Sequence, residues 1–172
     1  MWSYDAMNRR ILFILLVLLL GGCGFQLRGS AIMPFESLFI ESAGVSAGTE
    51  LHRALREGSE VRLLASPPEA ETVLQLFGEQ REKRILSLNT SGKVSEYMLL
   101  YRLSFRLRDG KGVEWAPAQT LELRRDYTFS DAQVLAKEQE ELLLYREMQT
   151  DAVRQLMRRL SAMKQLPIPD AD

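Results

Sequence analysis

Every second residue of segment 97–108 is apolar, and this alternation constrains the fold more than any other feature of the chain. Neighbouring side chains of a β-strand point to opposite sides of the sheet, so the segment predicts a strand with one wholly apolar face. The apolar positions are Tyr97, Leu99, Tyr101, Leu103, Phe105 and Leu107. The other face becomes basic toward its end, at Arg102, Arg106 and Arg108. We expect these arginines on a solvated sheet face, paired with Glu114 or Glu122.

Two turn sequences bracket this strand. Asn-Thr-Ser-Gly at 89–92 precedes it and Asp-Gly-Lys-Gly at 109–112 follows it, as is typical of hairpins. The return strand covers roughly residues 113–129, where Pro117 indicates an edge position or a bulge. Before the first turn, a strand-like segment runs from residue 71 to residue 88 with a break or bulge near Gly78.

Shorter elements precede these strands and one long helix follows them. Residues 35–42 and 60–65 predict two strands, and residues 49–57 predict a helix capped by Thr49. Ser130 and Gln133 have the spacing of a capping box at the start of an amphipathic helix of about 30 residues. Its apolar residues recur every three or four positions, at Leu142, Tyr145, Met148, Ala152, Leu156, Leu160 and Met163.

The order of these elements predicts an α+β fold. We expect a mixed sheet of four strands or slightly more, with two helices packed on one face. Residues 35–166 form a single domain, and residues 167–172, which begin with the helix-ending Pro167, form a C-terminal tail. The other sheet face is expected to be partly polar, which suits contact with a partner.

The first 22 residues predict a signal peptide that precedes this domain. Arg9 and Arg10 are followed by the apolar run 11–20 and then by Leu-Gly-Gly-Cys, with the cysteine at position 23. The run is shorter than the roughly 20 residues that a membrane-spanning helix needs. Residues 20–23 resemble the lipobox of bacterial lipoproteins, so Cys23 is expected to become the N-terminus and to carry N-acyl and diacylglyceryl groups, its thiol accepting the latter. Residues 23–34 would be a lipidated tether, and Gly24 favours sorting to the outer membrane.

Composition and motifs argue against catalysis and against nucleic-acid binding. The formal net charge is −1, whereas nucleic-acid-binding domains usually carry a strong basic excess. His52 is the sole histidine, and we expect it on an exposed helix surface. The sequence has no Gly-rich phosphate loop and no His or Cys spacing suited to zinc. We therefore expect a binding or assembly protein with no cofactor apart from the lipid, and no metal.

Several local motifs occur together in one known family. These are GCGFQLRG at 22–29, SEY at 95–97, RDY at 125–127, LAKEQE at 135–140, and the pairs Asp151-Ala152, Gln155-Leu156 and Arg159-Leu160. In this order the chain resembles the LptE family of lipopolysaccharide-assembly lipoproteins. The resemblance implies that the chain is a plug inside the outer-membrane β-barrel LptD. The two proteins together would place lipopolysaccharide in the outer leaflet. It also implies anchoring at the periplasmic side of the outer membrane.

The resemblance further implies direct lipopolysaccharide binding through basic residues. One such position corresponds to Lys137, and a second falls in turn 89–92, where this chain has Thr90. Lys93 or Arg84 would have to supply the charge of that turn. Arg124 and Arg125 stand just before the long helix, so with Lys137 we expect them to form a basic corner for phosphates. The alternative is a free-standing periplasmic lipoprotein that binds a small ligand or a cell-wall component.

Overall fold

The computed structural model describes residues 32–163. Its strands are β1 (Ser37–Glu41), β2 (Arg62–Leu63), β3 (Thr72–Leu88), β4 (Val94–Asp109) and β5 (Glu114–Thr128). Its helices are α1 (Ala47–Gly58) and α2 (Val134–Ser161), and short 3₁₀ turns lie at Pro67–Glu69 and Asp131–Gln133. The predicted α+β class is therefore confirmed.

The five strands form one mixed sheet in the order β2-β1-β3-β4-β5. Strand β1 runs parallel to β2 and β3, because α1 lies in the crossover between β1 and β2. Strands β3, β4 and β5 are long and antiparallel, joined by the two predicted hairpin turns. Strand β5 is an edge strand, and its pairing with β4 shifts register around Pro117, as predicted.

A bulge at Gly78 decides which residues of β3 face the helices. Gly78 has a φ of 59°, and the register with β4 shifts between Phe77 and Gln80. Before the bulge, Leu74 and Leu76 are buried beneath the helices. Because the bulge adds a residue, the helix side continues with odd-numbered residues, so that Arg81 and Lys83 point toward α2. The predicted break at Gly78 is confirmed.

Both helices pack on one face of the sheet. Leu51 and Leu55 of α1 and Met148 and Leu156 of α2 are fully buried in the same core as Leu103 of β4. We call the opposite, uncovered side the open face. The predicted apolar stripe of α2 holds from Tyr145 to Leu160, but it is wrong at Leu142, whose exposed fraction is 50%.

Local boundaries differ from the predictions at several points. Helix α1 begins at Ala47, two residues before the expected cap Thr49, and β2 has only two residues. The capping box is also wrong in detail, because Ser130 accepts a hydrogen bond from the Ala132 amide inside a 3₁₀ turn and α2 starts at Val134. His52 is half-buried rather than exposed.

The predictions for the N-terminal segment and for the C-terminal tail concern residues that the structure does not describe. The signal peptide 1–22, Cys23, residues 24–31 of the tether and the tail 167–172 all lie beyond residues 32–163, so they stay predictions. Helix α2 ends at Ser161, before Pro167 is reached. Among residues 32–163, no helix combines the length and the apolar composition needed to cross a membrane.

Candidate functional site

Three segments meet at one end of the molecule, which we call the distal end: the turn 89–92, the last residues of β5 and the first turns of α2. The Phe129 amide donates to the Ser95 carbonyl at 2.8 Å, which joins the end of β5 to the start of β4. The Lys93 ammonium lies 2.9 Å from the Asp131 carboxylate, which joins the turn region to the start of α2. The sequence predicted basic residues in both segments, and the structure brings the segments together.

An aromatic cluster with a lysine at its centre supports the distal end. The Lys83 ammonium lies 4.1 Å from the centroid of the Tyr97 ring, which stacks on Tyr127 at 5.8 Å and meets Phe129 edge-on at 5.1 Å. Lys83 and the Tyr127 hydroxyl both donate to Glu141 of α2, at 2.6 and 2.8 Å. The cluster therefore ties β3, β4 and β5 to α2.

The charges of this cluster are held in a fixed protonation state. Burial alone would lower the pKa of Lys83, but its contacts with Glu141 and Tyr127 raise that pKa above its ordinary value. Burial and the hydrogen bond to Glu141 raise the pKa of Tyr127 to about 12. Lys83 thus holds the strands and α2 together at the distal end, and its charge is paired with Glu141.

Apolar side chains are exposed at the distal end. Leu135 is 79% exposed in the first turn of α2, and Leu143 is half-exposed two turns later. Ile85 and Leu88 are exposed on the last part of β3, next to the hairpin turn. Exposed apolar groups beside lysines form an amphiphilic surface, which is the usual mark of an interaction site.

Lys93 and Lys137 both lie at this end, each with a carboxylate partner. Lys93 is 66% exposed beside Asp131, whereas the Lys137 side chain is only 15% exposed. Lys137 donates to Glu140 at 2.8 Å and to Thr128 at 3.3 Å. Both lysines are therefore near the exposed apolar residues, and Lys93 is the more accessible of the two.

The predicted basic corner is wrong for the two arginines. Arg124 and Arg125 are consecutive strand residues, so their side chains leave opposite faces of the sheet. Arg124 pairs with Asp126 on the open face at 2.9 Å, while Arg125 pairs with Asp151 of α2 at 2.7 Å. Asp151 is 14 residues after Lys137 on one helix, which corresponds to about 21 Å. Arg125 therefore anchors β5 to α2 away from Lys137.

Alternating charges cover the open face. Arg102 contacts Glu122 at 2.6 Å and Arg106 contacts Glu114 at 3.4 Å, which confirms two of the predicted pairs. Arg108 instead contacts Glu41 of β1 at 2.8 Å, a pairing that the sequence could not reveal. The arginines of this face are thus neutralised by their neighbours.

Glu79 is a half-buried connecting residue that sequence reasoning missed. Its carboxylate accepts hydrogen bonds from the amide and hydroxyl of Ser46, and from the Tyr101 hydroxyl at 2.7 Å. Partial burial alone would raise the pKa of Glu79, but these hydrogen bonds hold it below its ordinary value. Burial and the contact with Glu79 raise the pKa of Tyr101. The signal available in the sequence was the adjacent Gly78, whose bulge turns Glu79 toward α1.

Comparison with known proteins identifies the family. The model of the LptE family, described as lipopolysaccharide-assembly, matches residues 35–160. The chain belongs to the LptE family. LPS-assembly lipoprotein LptE of Photorhabdus laumondii is 30% identical, and the match covers 90% of this chain and 87% of that protein. The LptE of Yersinia enterocolitica is 29% identical over 96% of this chain and 82% of its own length.

Solved structures show the same fold as this LptE family member. The NMR structure of lipoprotein B from Nitrosomonas europaea is 42% identical, with a TM-score of 0.71 over 81% of this chain and 91% of that one. The crystal structure of rare lipoprotein B from Shewanella oneidensis is 26% identical, with a TM-score of 0.62 over 73% and 94%. The LptE description names an assembly role and no catalysed reaction.

Proposed function

We propose that this chain is an outer-membrane lipoprotein that plugs and helps to assemble an LptD-like β-barrel and binds lipopolysaccharide for insertion into the outer leaflet. It acts as a binding and assembly subunit and not as an enzyme. The observation that carries the proposal is the distal end, where exposed apolar side chains stand beside Lys93 and Lys137. The names of its LptE relatives support the same role.

The chemistry of the distal end matches a phosphorylated glycolipid. Apolar residues such as Leu135 and Ile85 are available to acyl chains, and lysine ammonium groups bind phosphate through charge-assisted hydrogen bonds worth about 1.5–3 kcal/mol each. Lys93 would exchange Asp131 for phosphate at little cost, because exposed ion pairs contribute only about 0–1 kcal/mol. Lys137 must first break its hydrogen bonds to Glu140 and Thr128, so it is expected to bind phosphate only after those bonds are lost.

Charge reversal at the two lysines tests the lipopolysaccharide role. Lys137→Asp and Lys93→Asp should each weaken lipopolysaccharide binding about tenfold while leaving the circular-dichroism spectrum unchanged, because neither lysine belongs to the hydrophobic core that holds the fold together. Lys111→Asp is the matched control, since Lys111 lies in the other hairpin turn, 109–112. Binding that is equally strong in all three variants would contradict a role of the distal end in lipopolysaccharide binding.

Co-purification tests the barrel partner. A plug buried in a barrel should remain bound through high salt and mild detergent, because most of its contacts are shielded from solvent. The protein should therefore be recovered from outer membranes together with one β-barrel protein. Recovery as a clean monomer under these conditions would favour the free-standing lipoprotein instead.

Lipid labelling tests the anchor. Radioactive palmitate should label the chain, and Cys23→Ser should abolish the label. Cys23 is the only cysteine of the chain, so no other thiol can substitute. Label that persists in this variant would contradict lipidation at residue 23.

A further inference from the structure

A second site candidate lies between the two helices. An open cleft of about 420 Å³ separates the facing surfaces of α1 and α2. All its lining residues are polar: Ser46, Thr49, Glu50, Arg53, Arg146, Gln149 and Thr150. Its volume is within the range of about 300–1,000 Å³ that is usual for small-ligand sites, but an all-polar lining suits only a hydrophilic ligand.

Two arginines of the cleft have no carboxylate partner within the described residues. Arg53 makes neither a hydrogen bond nor an ion pair there, and Arg146 donates only a long bond of 3.4 Å to the Leu142 carbonyl. The cleft therefore carries two cations available for an anion.

The acceptors of the cleft, in contrast, are already occupied. The Glu50 carboxylate accepts from Thr150 at 2.7 Å and from Gln149 at 3.3 Å. The Ser46 amide and hydroxyl, at the start of α1, both donate to Glu79. The free amides that usually attract anions to a helix start are thus partly taken, and an incoming anion would be held by the arginines.

We propose that this cleft binds a phosphorylated sugar, with Arg53 and Arg146 on the phosphate and Thr49 on a sugar hydroxyl. Guanidinium groups bind phosphate through two parallel hydrogen bonds, which favours an oxyanion over a chloride-like ion. The exposed Thr49 hydroxyl makes no hydrogen bond within the described residues, so it can both donate to and accept from a sugar hydroxyl. The ligand is either a free sugar phosphate or the same group at the head of a glycolipid. The proposal does not depend on the distal end.

An NMR titration of the complete protein tests the site. Glucose 6-phosphate should shift the amide signals of Thr49 and Thr150 in a saturable way, with millimolar affinity or better. Arg53→Gln and Arg146→Gln should each weaken this binding about tenfold, because each removes one charge-assisted contact. Arg158→Gln is the matched control, since Arg158 is an exposed arginine of α2 that does not line the cleft.

The controls separate the proposal from its alternatives. Glucose that binds as tightly as glucose 6-phosphate would overturn the role of the arginines, and inorganic phosphate that does so would overturn the role of the sugar. Loss of binding in Arg158→Gln alone would also place the site elsewhere. Deacylated lipopolysaccharide that binds more tightly than glucose 6-phosphate, and loses this advantage in Arg53→Gln, identifies a glycolipid source. Lys137→Asp should leave the affinity for glucose 6-phosphate unchanged, so failure here and failure of the proposed function are distinguishable.

Discussion

Removal of one hydroxyl group, in Tyr101→Phe, probes the connection between the sheet and α1. The Tyr101 side chain is fully buried, and its hydroxyl donates to the Glu79 carboxylate at 2.7 Å. Hydrogen bonds to charged groups contribute about 1.5–3 kcal/mol. Glu79 keeps both bonds from Ser46, so we expect a loss near the lower limit, about 1.5–2 kcal/mol.

Glu79→Ala should cost more than Tyr101→Phe. It leaves the buried Tyr101 hydroxyl without a partner, at about 1–3 kcal/mol, and it removes the cap of α1, at about 0.5–2 kcal/mol. Urea unfolding followed by circular dichroism measures both free energies of unfolding. Because the two residues interact directly, the double variant should lose less than the sum of the single losses.

The Tyr101→Phe deficit should depend on pH. The folded-state pKa of Glu79 lies below the ordinary value of 4.5, so its ionised form stabilises the fold above pH 4.5. As the pH falls below 4.5 and through the folded-state pKa, that contribution is lost and the deficit should shrink.

Tyr97→Phe is the control for Tyr101→Phe. The Tyr97 ring is half-buried in the aromatic cluster, and its hydroxyl has no hydrogen-bond partner in the described part of the chain. This control should change the free energy of unfolding by less than about 0.5 kcal/mol. A Tyr101→Phe loss as small as that of Tyr97→Phe at pH 7 would refute the reasoning.

Two further predictions concern packing. Leu156→Ala should destabilise the protein by about 2–5 kcal/mol in urea unfolding because Leu156 is fully buried, whereas Leu135→Ala on the same helix should cost less than about 0.5 kcal/mol; equal losses would contradict the observed orientation of α2. Gly110→Ala should lower the melting temperature, with a cost of about 1–3 kcal/mol, because an added Cβ would lie 2.5 Å from the Ala70 carbonyl oxygen. An unchanged melting temperature would show that this backbone contact can relax.

The long antiparallel strands could be predicted because their signals are local. The alternation along β4 and the turn residues on either side of it depend on neighbours in sequence. The start of α1 could not be predicted in the same way. Its cap is Glu79, which lies 33 residues after Ser46 and reaches the helix only because of the bulge at Gly78. The prediction that Thr49 caps the helix used only the local sequence, which carries no information on this tertiary contact.

The same limit explains the errors at the site. Leu142 is exposed because Glu141 occupies the position of α2 that faces the sheet, where Lys83 and Tyr127 supply its partners. A periodicity argument assigns that position to an apolar residue and cannot foresee a partly exposed ion pair between the helix and the sheet. The turn position of Lys93 and the helix position of Lys137 could be predicted from local signals, whereas the pairing of Arg125 with Asp151 is a tertiary contact.

The open face has a consequence for molecular encounters. Opposite charges on this face alternate at contact distance, as at Arg102 and Glu122, so their electric fields cancel within a short distance of the surface. In physiological salt, where the screening length is about 8 Å, almost no long-range steering remains. A molecule that docks on this face is selected by shape and by exchange of hydrogen bonds at touching distance, and its rate of capture should barely respond to ionic strength.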